Sequence, residues 1–188
     1  MNRADLKFRE ATQEDINNIM FIEDNSFHQG IKEEKDVFLE RIVTFPTGFL
    51  LLEHEDRVIG YICSELWKYQ ENIDAVNLKL GHRIKGIHDP AGEELYISSM
   101  GLLPEFRGEG VGKLMFESLI NRLLKTYPQI KSIVLMVSRN WLTAQRIYQR
   151  NGFREAAIIP NFFQPLSLEH QDGIVMRRRV KNIRHGKL

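Results

Sequence analysis

Apolar residues in the first quarter of the chain recur at helical spacing. Ile16, Ile19 and Met20 follow Thr12-Gln-Glu-Asp15, which reads as a capping box, and the spacing predicts a helix near 13–25 that runs on towards Phe27. Lys32 to Thr44, striped by Val37, Phe38, Arg41 and Ile42, predicts a second helix ended by Pro46 and Gly48. Then the period changes. Phe49 to Glu53 and Val58 to Cys63 are short apolar runs separated by His54-Glu-Asp-Arg57, the pattern of a hairpin. Residues 67–92 are ambiguous: Ile73, Val76, Leu80 and Ile84 suit a helix, whereas Gly81, Gly86, Pro90 and Gly92 make the second half a loop.

Beyond residue 94 the pattern sharpens. Leu95 to Leu103 is strand-like and Pro104 stops it. A glycine-rich turn, Arg107-Gly-Glu-Gly-Val-Gly112, leads into a helix from Val111 to about Lys125, striped by Leu114, Met115, Leu119 and Leu123. Ile130 to Val137 reads as a strand buried on both faces. Trp141 to Arg150 is a short helix halted by Asn151-Gly152, and Phe153 to Ile159 and Ile174 to Arg179 are two closing strands joined by 160–173. The expectation is a single α+β domain over 1–188, with a mostly antiparallel sheet and no internal repeat or linker.

Composition narrows the class. With 43% hydrophobic and 27% charged residues in 188, the chain is globular rather than disordered or coiled-coil. Its 26 Lys and Arg against 25 Asp and Glu give a net charge of +1, which argues against broad nucleic-acid or acidic-membrane binding. The charge is uneven, because residues 177–188 hold six basic and no acidic side chains and leave a body of −5. The basic tail at 180–188 reads as a solvated end. Cys63 is the only cysteine, so neither an intrachain disulfide nor a thiolate metal cluster can form, and a reducing cytoplasm is expected. The N-terminus is charged where a signal peptide needs an apolar run, and nothing approaches the ~20 apolar residues of a membrane span. The six histidines are scattered, so no metal is expected.

A strand, a glycine turn and a helix N-terminus together make an anion site, because free N–H groups and the positive end of the helix dipole face the ligand. Two phosphate loops fail here. Between Gly108 and Gly112 only three residues intervene and Lys113 precedes Leu114, which breaks the P-loop pattern. After Gly110-Val-Gly112, Met115 stands where a Rossmann fingerprint needs its third glycine.

The spacing Arg107-x-x-Gly110-x-Gly112 after Leu102-Leu103-Pro104, followed by Ala144-x-x-x-Tyr148-x-x-x-Gly152-Phe153, resembles the signature of the GNAT (Gcn5-related) N-acetyltransferases. The resemblance covers nearly the whole chain. It implies a mixed, mostly antiparallel sheet flanked by helices, with acetyl-CoA as cosubstrate in the splay between two central strands. The pyrophosphate would sit on the amides of Gly108, Glu109, Gly110, Val111, Gly112 and Lys113, with Arg107 beside them. The pantetheine arm would lie along Met100, Gly101 and Leu102. Tyr148 would protonate the departing thiolate, since a phenol of pKa about 10 keeps its proton at neutral pH. The oxyanion donor would be a backbone N–H near Leu102. Where the family has a cofactor-touching Asn this chain has Trp141, so Asn140 is either shifted into that role or caps the helix.

Period two places Tyr96, Ser98 and Met100 on one strand face. The segment from Leu95 to Gly101 looks most like protein N-terminal acetyltransferases, which imply Tyr96 as a base through water. Their second base, a histidine or glutamate on the next strand, corresponds to Met136 here, so it is missing; Glu65, Glu93 or Glu94 could act through water instead. Holding a lysine amine neutral at pH 7 costs roughly 4.6 kcal/mol against about 1 kcal/mol for an α-amine, which suits a weakly basic site to the latter. Phe162 and Phe163 would wall the acceptor, opposite Glu23, Asn25 and Phe27.

The expected acceptor is therefore a protein or peptide α-amine, on a monomer or homodimer. Ser64-Glu-Leu-Trp67, Ile147-Tyr-Gln-Arg150 and the 67–92 insertion also resemble arylalkylamine enzymes, so a small amine, arylalkylamine or polyamine, is the alternative. Those enzymes use two histidines where this chain has Tyr96 and Ser98. A non-catalytic acyl-CoA-binding module is the third reading.

Overall fold

The computed structural model describes residues 3–180. A strand that the hydrophobic pattern did not reveal opens the fold: β1 (Leu6–Glu10), a short alternating run hidden among charges, pairs antiparallel with β2 (Phe49–His54). Between them lie α1 (Ile16–Ser26) and α2 (Lys35–Thr44), the latter three residues shorter at its start than its pattern suggests. Ahead of α1, Gln13–Asp15 forms a 3-10 turn. There the Thr12 N–H donates to Asp15 Oδ2 at 2.8 Å, as the capping-box reading requires. Arg9 grips the same carboxylate with both terminal nitrogens at 2.7 Å and ties β1 to the helix start.

The hairpin is real but longer than its apolar core, because β3 (Arg57–Trp67) runs on to Trp67. Residues 67–92 form no helix of useful length, only 3-10 turns at Ala75–Leu78 and Ile84–Gly86. The rest follows in order: β4 (Glu94–Leu102), α3 (Val111–Thr126), β5 (Ser132–Ser138), α4 (Leu142–Arg150), β6 (Arg154–Phe163) and β7 (Gln171–Arg179). Pro160 to Phe163 and Gln171 to Gly173, read from sequence as loop, extend the last two strands. At the edge of the sheet β6 needs little apolar alternation to stay paired.

The seven strands form one sheet in the order β1-β2-β3-β4-β5-β7-β6, and only the β4–β5 pair is parallel. That pair decides the function. Its register covers Glu94 to Ile97 against Ser132 to Leu135, and beyond it the strands separate. A bulge opens β4 at the same level: Cys63 faces Ser99 while Ser64 faces Ile97, so Ser98 has no partner on β3. The principal core joins α1, α2 and α3 to the sheet; a smaller cluster of Trp67, Leu78, Tyr96, Val134 and Val175 packs under the 67–92 segment.

The basic end divides. Arg177, Arg178 and Arg179 belong to β7, where Arg177 Nε lies 2.9 Å from Glu94 and Arg178 stacks over Phe153. These three residues lie in the strand, as the sequence pattern predicts for Ile174 to Arg179. Residues 181–188 of the expected tail lie outside the described residues.

Candidate active site

The splay of β4 from β5 opens a cavity of about 780 Å³, a size that suits a bound small molecule. Its first half is built by backbone. Gly108 and Gly110 adopt φ of 91° and 79°, the left-handed region where a side chain is strained. Leu114 is the first residue of α3 whose N–H reaches Gly110 O, so the amides of Val111, Gly112 and Lys113 have no partner within the helix. A Cβ at Gly108 or Gly112 would meet open space, and Gly108, Gly110, Gly112 and Lys113 line the cavity. This is the geometry of an anion cradle at a helix N-terminus. Among the predicted contacts, Val111 is buried and Glu109 contributes its carbonyl to Arg3 at 2.6 Å; neither lines the cavity.

Met100 and Leu102 line the cavity as expected, but Gly101 does not. A Cβ on Gly101 would stand 2.6 Å from Tyr61 Cε1 and 2.9 Å from Ile22, so the close approach it permits is of core side chains, not of a cofactor. Arg107 lines the cavity yet is anchored by Leu102 O at 2.9 Å, with Ser26 Oγ at 3.3 Å and Asn25 O at 3.4 Å. It clasps the end of α1 to the end of β4. Asn140 lines the cavity and does not cap α4, whose N-cap is Trp141.

Tyr148 projects from α4 into the same cavity with its ring against Phe116 and Phe153, at 5.2 and 6.0 Å between centroids. Burial pushes its phenol up to about 12. The proton is therefore retained at neutral pH, the state a general acid needs.

The second half of the cavity is made by side chains. All of Tyr96, Ser98 and Met100 line it, but so do Ile97 and Ser99, because the bulge breaks strict alternation. Tyr96 is 3% exposed and stacks on Trp67 at 4.1 Å, and burial, with the Glu65 charge, raises its phenol far above the ordinary value. Its phenolate is thus disfavoured. Met136 lines the cavity against Gly173 and Phe162 and offers no titratable group. Phe27, Trp141, Phe163 and Phe162 form a chain of rings along the cavity wall, at 5.8, 5.1 and 5.0 Å between successive centroids.

None of the substitute bases offered by sequence lines the cavity. Glu93 pairs with Lys131 and Glu94 with Ser132 and Arg177, at the paired end of β4. Glu65 accepts from His82 Nε2 at 2.8 Å, Trp67 Nε1 at 2.9 Å and Arg41 Nε at 3.2 Å. Burial pushes its carboxyl up, but the His82 hydrogen bond and the neighbouring charges more than reverse this, leaving it below the ordinary value. The carboxylates that do line the cavity are Glu23 and Glu33. Glu23 is 1% exposed, and desolvation raises it to about 7. Sequence reading placed Glu23 on the acceptor wall without a chemical role; its signal is a carboxylate on the apolar stripe of Ile16 and Ile19. Tyr61, buried behind the wall, and His82, which lines the cavity, gave no such signal, since each meets its partners from a distant segment.

The Acetyltransferase (GNAT) family profile matches residues 14–153. The chain belongs to the GNAT acetyltransferase family. As a GNAT enzyme it is an N-acetyltransferase acting on an amine. It is 25% identical over 138 residues to the uncharacterized N-acetyltransferase MJ1530 of Methanocaldococcus jannaschii, which covers 73% of this chain and 70% of that one. Its fold resembles the loading GNATL domain of CurA from Lyngbya majuscula, with a TM-score of 0.78, 16% identity and coverage of 93% and 97% of the two chains. It also resembles Arabidopsis thaliana Naa50 in complex with the bisubstrate analogue CoA-Ac-MVNAL, with a TM-score of 0.69, 17% identity and coverage of 93% and 98%. Among the described residues no cluster of His, Cys, Asp or Glu could hold a metal ion, and no helix is long and apolar enough to cross a membrane.

Proposed function

We propose that this GNAT chain acetylates a small primary amine, using acetyl-CoA, in a pocket whose two side walls are joined. The observation that carries the acceptor reading is the bond from Leu166 N–H to Gln29 O at 2.9 Å, with Gly30 packed so closely that a Cβ there would lie 2.5 Å from Gln164 O. It links the loop after α1 to the loop after β6. A peptide passing between those loops would have to break it. The far end of the cavity is walled by Leu78, Lys79, Leu80 and His82 from the 67–92 segment, which also favours a compact acceptor.

When bound, acetyl-CoA supplies a thioester carbonyl and a thiol leaving group. The amides at Gly108, Gly110, Gly112 and Lys113, which line the cavity, would hold its diphosphate, and Met100 and Leu102 would flank its arm. The backbone N–H near Leu102 receives the developing oxyanion, on a peptide fixed by the Arg107 bond to Leu102 O. Tyr148 delivers its proton to the sulfur. The aromatic chain from Phe27 to Phe163 excludes water from the amine.

The Naa50 likeness favours a second reading, a peptide α-amine, because that structure holds a peptide-bearing bisubstrate analogue. Thiol release from acetyl-CoA with tryptamine, spermidine and short peptides decides between them. Turnover of the small amines at least tenfold above any peptide supports the first reading; the reverse order overturns it. Tight CoA binding without turnover of any amine would mark a binding module instead.

A further inference from the structure

Glu23 ends a chain of hydroxyls that begins at the cavity. Its Oε1 accepts the Glu33 N–H at 2.8 Å, and its Oε2 accepts a short hydrogen bond from the Tyr61 hydroxyl. Tyr61 Oη lies 2.9 Å from Ser99 Oγ. Since Tyr61 commits its proton to Glu23, Ser99 is the donor in that second bond and its lone pairs remain free to accept. Ser99 and Glu23 line the cavity, whereas Tyr61 is fully buried between them. Gly101 makes the arrangement possible, because any Cβ there would collide with the Tyr61 ring.

We propose that Glu23, reached through the hydroxyls of Ser99 and Tyr61, takes the proton from the acceptor amine. The inference rests on the amine acetyltransferase reading above. The ammonium donates one proton to Ser99 Oγ, Ser99 passes its own to Tyr61 Oη, and Tyr61 passes its own to Glu23 Oε2. The result is a neutral amine and a neutral carboxyl, with both hydroxyls restored and no other reactant needed. The route supplies what Met136 lacks.

The groups around Glu23 fit this duty. Desolvation dominates its shift; the Glu33 carboxylate adds to it, while the Tyr61 hydroxyl, the Glu33 N–H and the Arg41 charge from α2 oppose it. Arg41 is itself held between Glu33, at 3.5 Å, and Glu65, at 3.2 Å. His82 is bound to Glu65 rather than to Glu23. At about 7 rather than the ordinary 4.5, the carboxyl holds a proton roughly 300-fold more firmly. Burial pushes the Tyr61 phenol up as well, so it relays a proton and does not keep a charge.

A purely structural role would tie α1 to β3 without moving any pH profile. The test is kcat/KM against pH, with the small amine that the panel above turns over, for wild type, Glu23→Gln, Tyr61→Phe and Ser99→Ala. The wild type should show an acidic limb near pH 7. In Glu23→Gln that limb should vanish and kcat at pH 8 should fall about 10²-fold, with KM for acetyl-CoA unchanged. Ser99→Ala, a small change at the cavity face, should keep the limb and lose about tenfold in kcat. A readout independent of turnover is the carbon NMR titration of carboxyl-labelled glutamates in the free protein, where one resonance, absent in Glu23→Gln, should titrate near 7. Activity of Glu23→Gln within threefold of wild type, with the limb retained, would overturn the relay and leave the proposed function standing. So would a Glu23 resonance titrating below pH 5, even if no amine is turned over.

Discussion

The two halves of the cavity are built in opposite ways. The half at the start of α3 uses backbone amides within one short turn, and a Cβ at Gly108 or Gly112 would meet open space. The acceptor half uses side chains from α1, β4, β5, the 67–92 segment and β6, backed by Arg41, Tyr61 and a stack of rings. A local cradle tolerates change around it. A converging set of side chains fails when one member moves, so the acceptor half should be the more sensitive to substitution and to pH.

The comparison is broken most directly at Tyr148, which serves the cofactor half by a side chain. Tyr148→Phe should lower kcat about 10²- to 10³-fold with KM for acetyl-CoA nearly unchanged, measured by thiol release. Glu23 sharpens it through stability. Its carboxyl is raised from 4.5 to about 7 in the fold, so the folded state binds the extra proton between those values, and stability falls as pH rises through that window. Glu23→Gln should therefore be more stable than wild type by about 3 kcal/mol at pH 8 and nearly equal to it at pH 4, by urea unfolding.

In the backbone half, Gly110→Ala forces a side chain into the left-handed region at φ 79°. It should raise KM for acetyl-CoA roughly tenfold while kcat stays within twofold. Leu166→Pro deletes the N–H that joins the acceptor walls, and should raise peptide turnover relative to small amines several-fold. Tyr96→Phe should have the smallest effect, within about twofold in kcat and with an unmoved pH profile. Its phenol is buried against Trp67 and stays neutral, so the ring packing is what the site uses.

Much of the fold was legible because its elements are strongly patterned. The stripes of α1, α2 and α3 and the apolar run of β5 each report their own burial, through a period that tertiary contacts only confirm. β1 escaped notice because Leu6 and Phe8 are its only apolar residues among charges, and pairing with β2 rather than propensity makes it a strand. The last two strands were read short for a similar reason: register with a neighbour, not side-chain pattern, extends them to Phe163 and back to Gln171.

At the site the division is sharper. The Arg107 to Gly112 turn and the Ala144 to Phe153 run are local; the turn by itself reads as an anion site, and the resemblance that the two runs carry together implies the cofactor cradle and the acid. A cradle of consecutive amides needs only the conformation of its own segment, so a one-dimensional pattern can carry it. The meeting of Glu23, Tyr61 and Ser99 needs a bulge at Ser98, a missing Cβ at Gly101 and a helix laid across two strands. The raised pKa of Glu23 and the joining of Gln29 to Leu166 come from burial and from contacts between segments more than a hundred residues apart. Desolvation and convergence are properties of packing, and only the tertiary structure decides them.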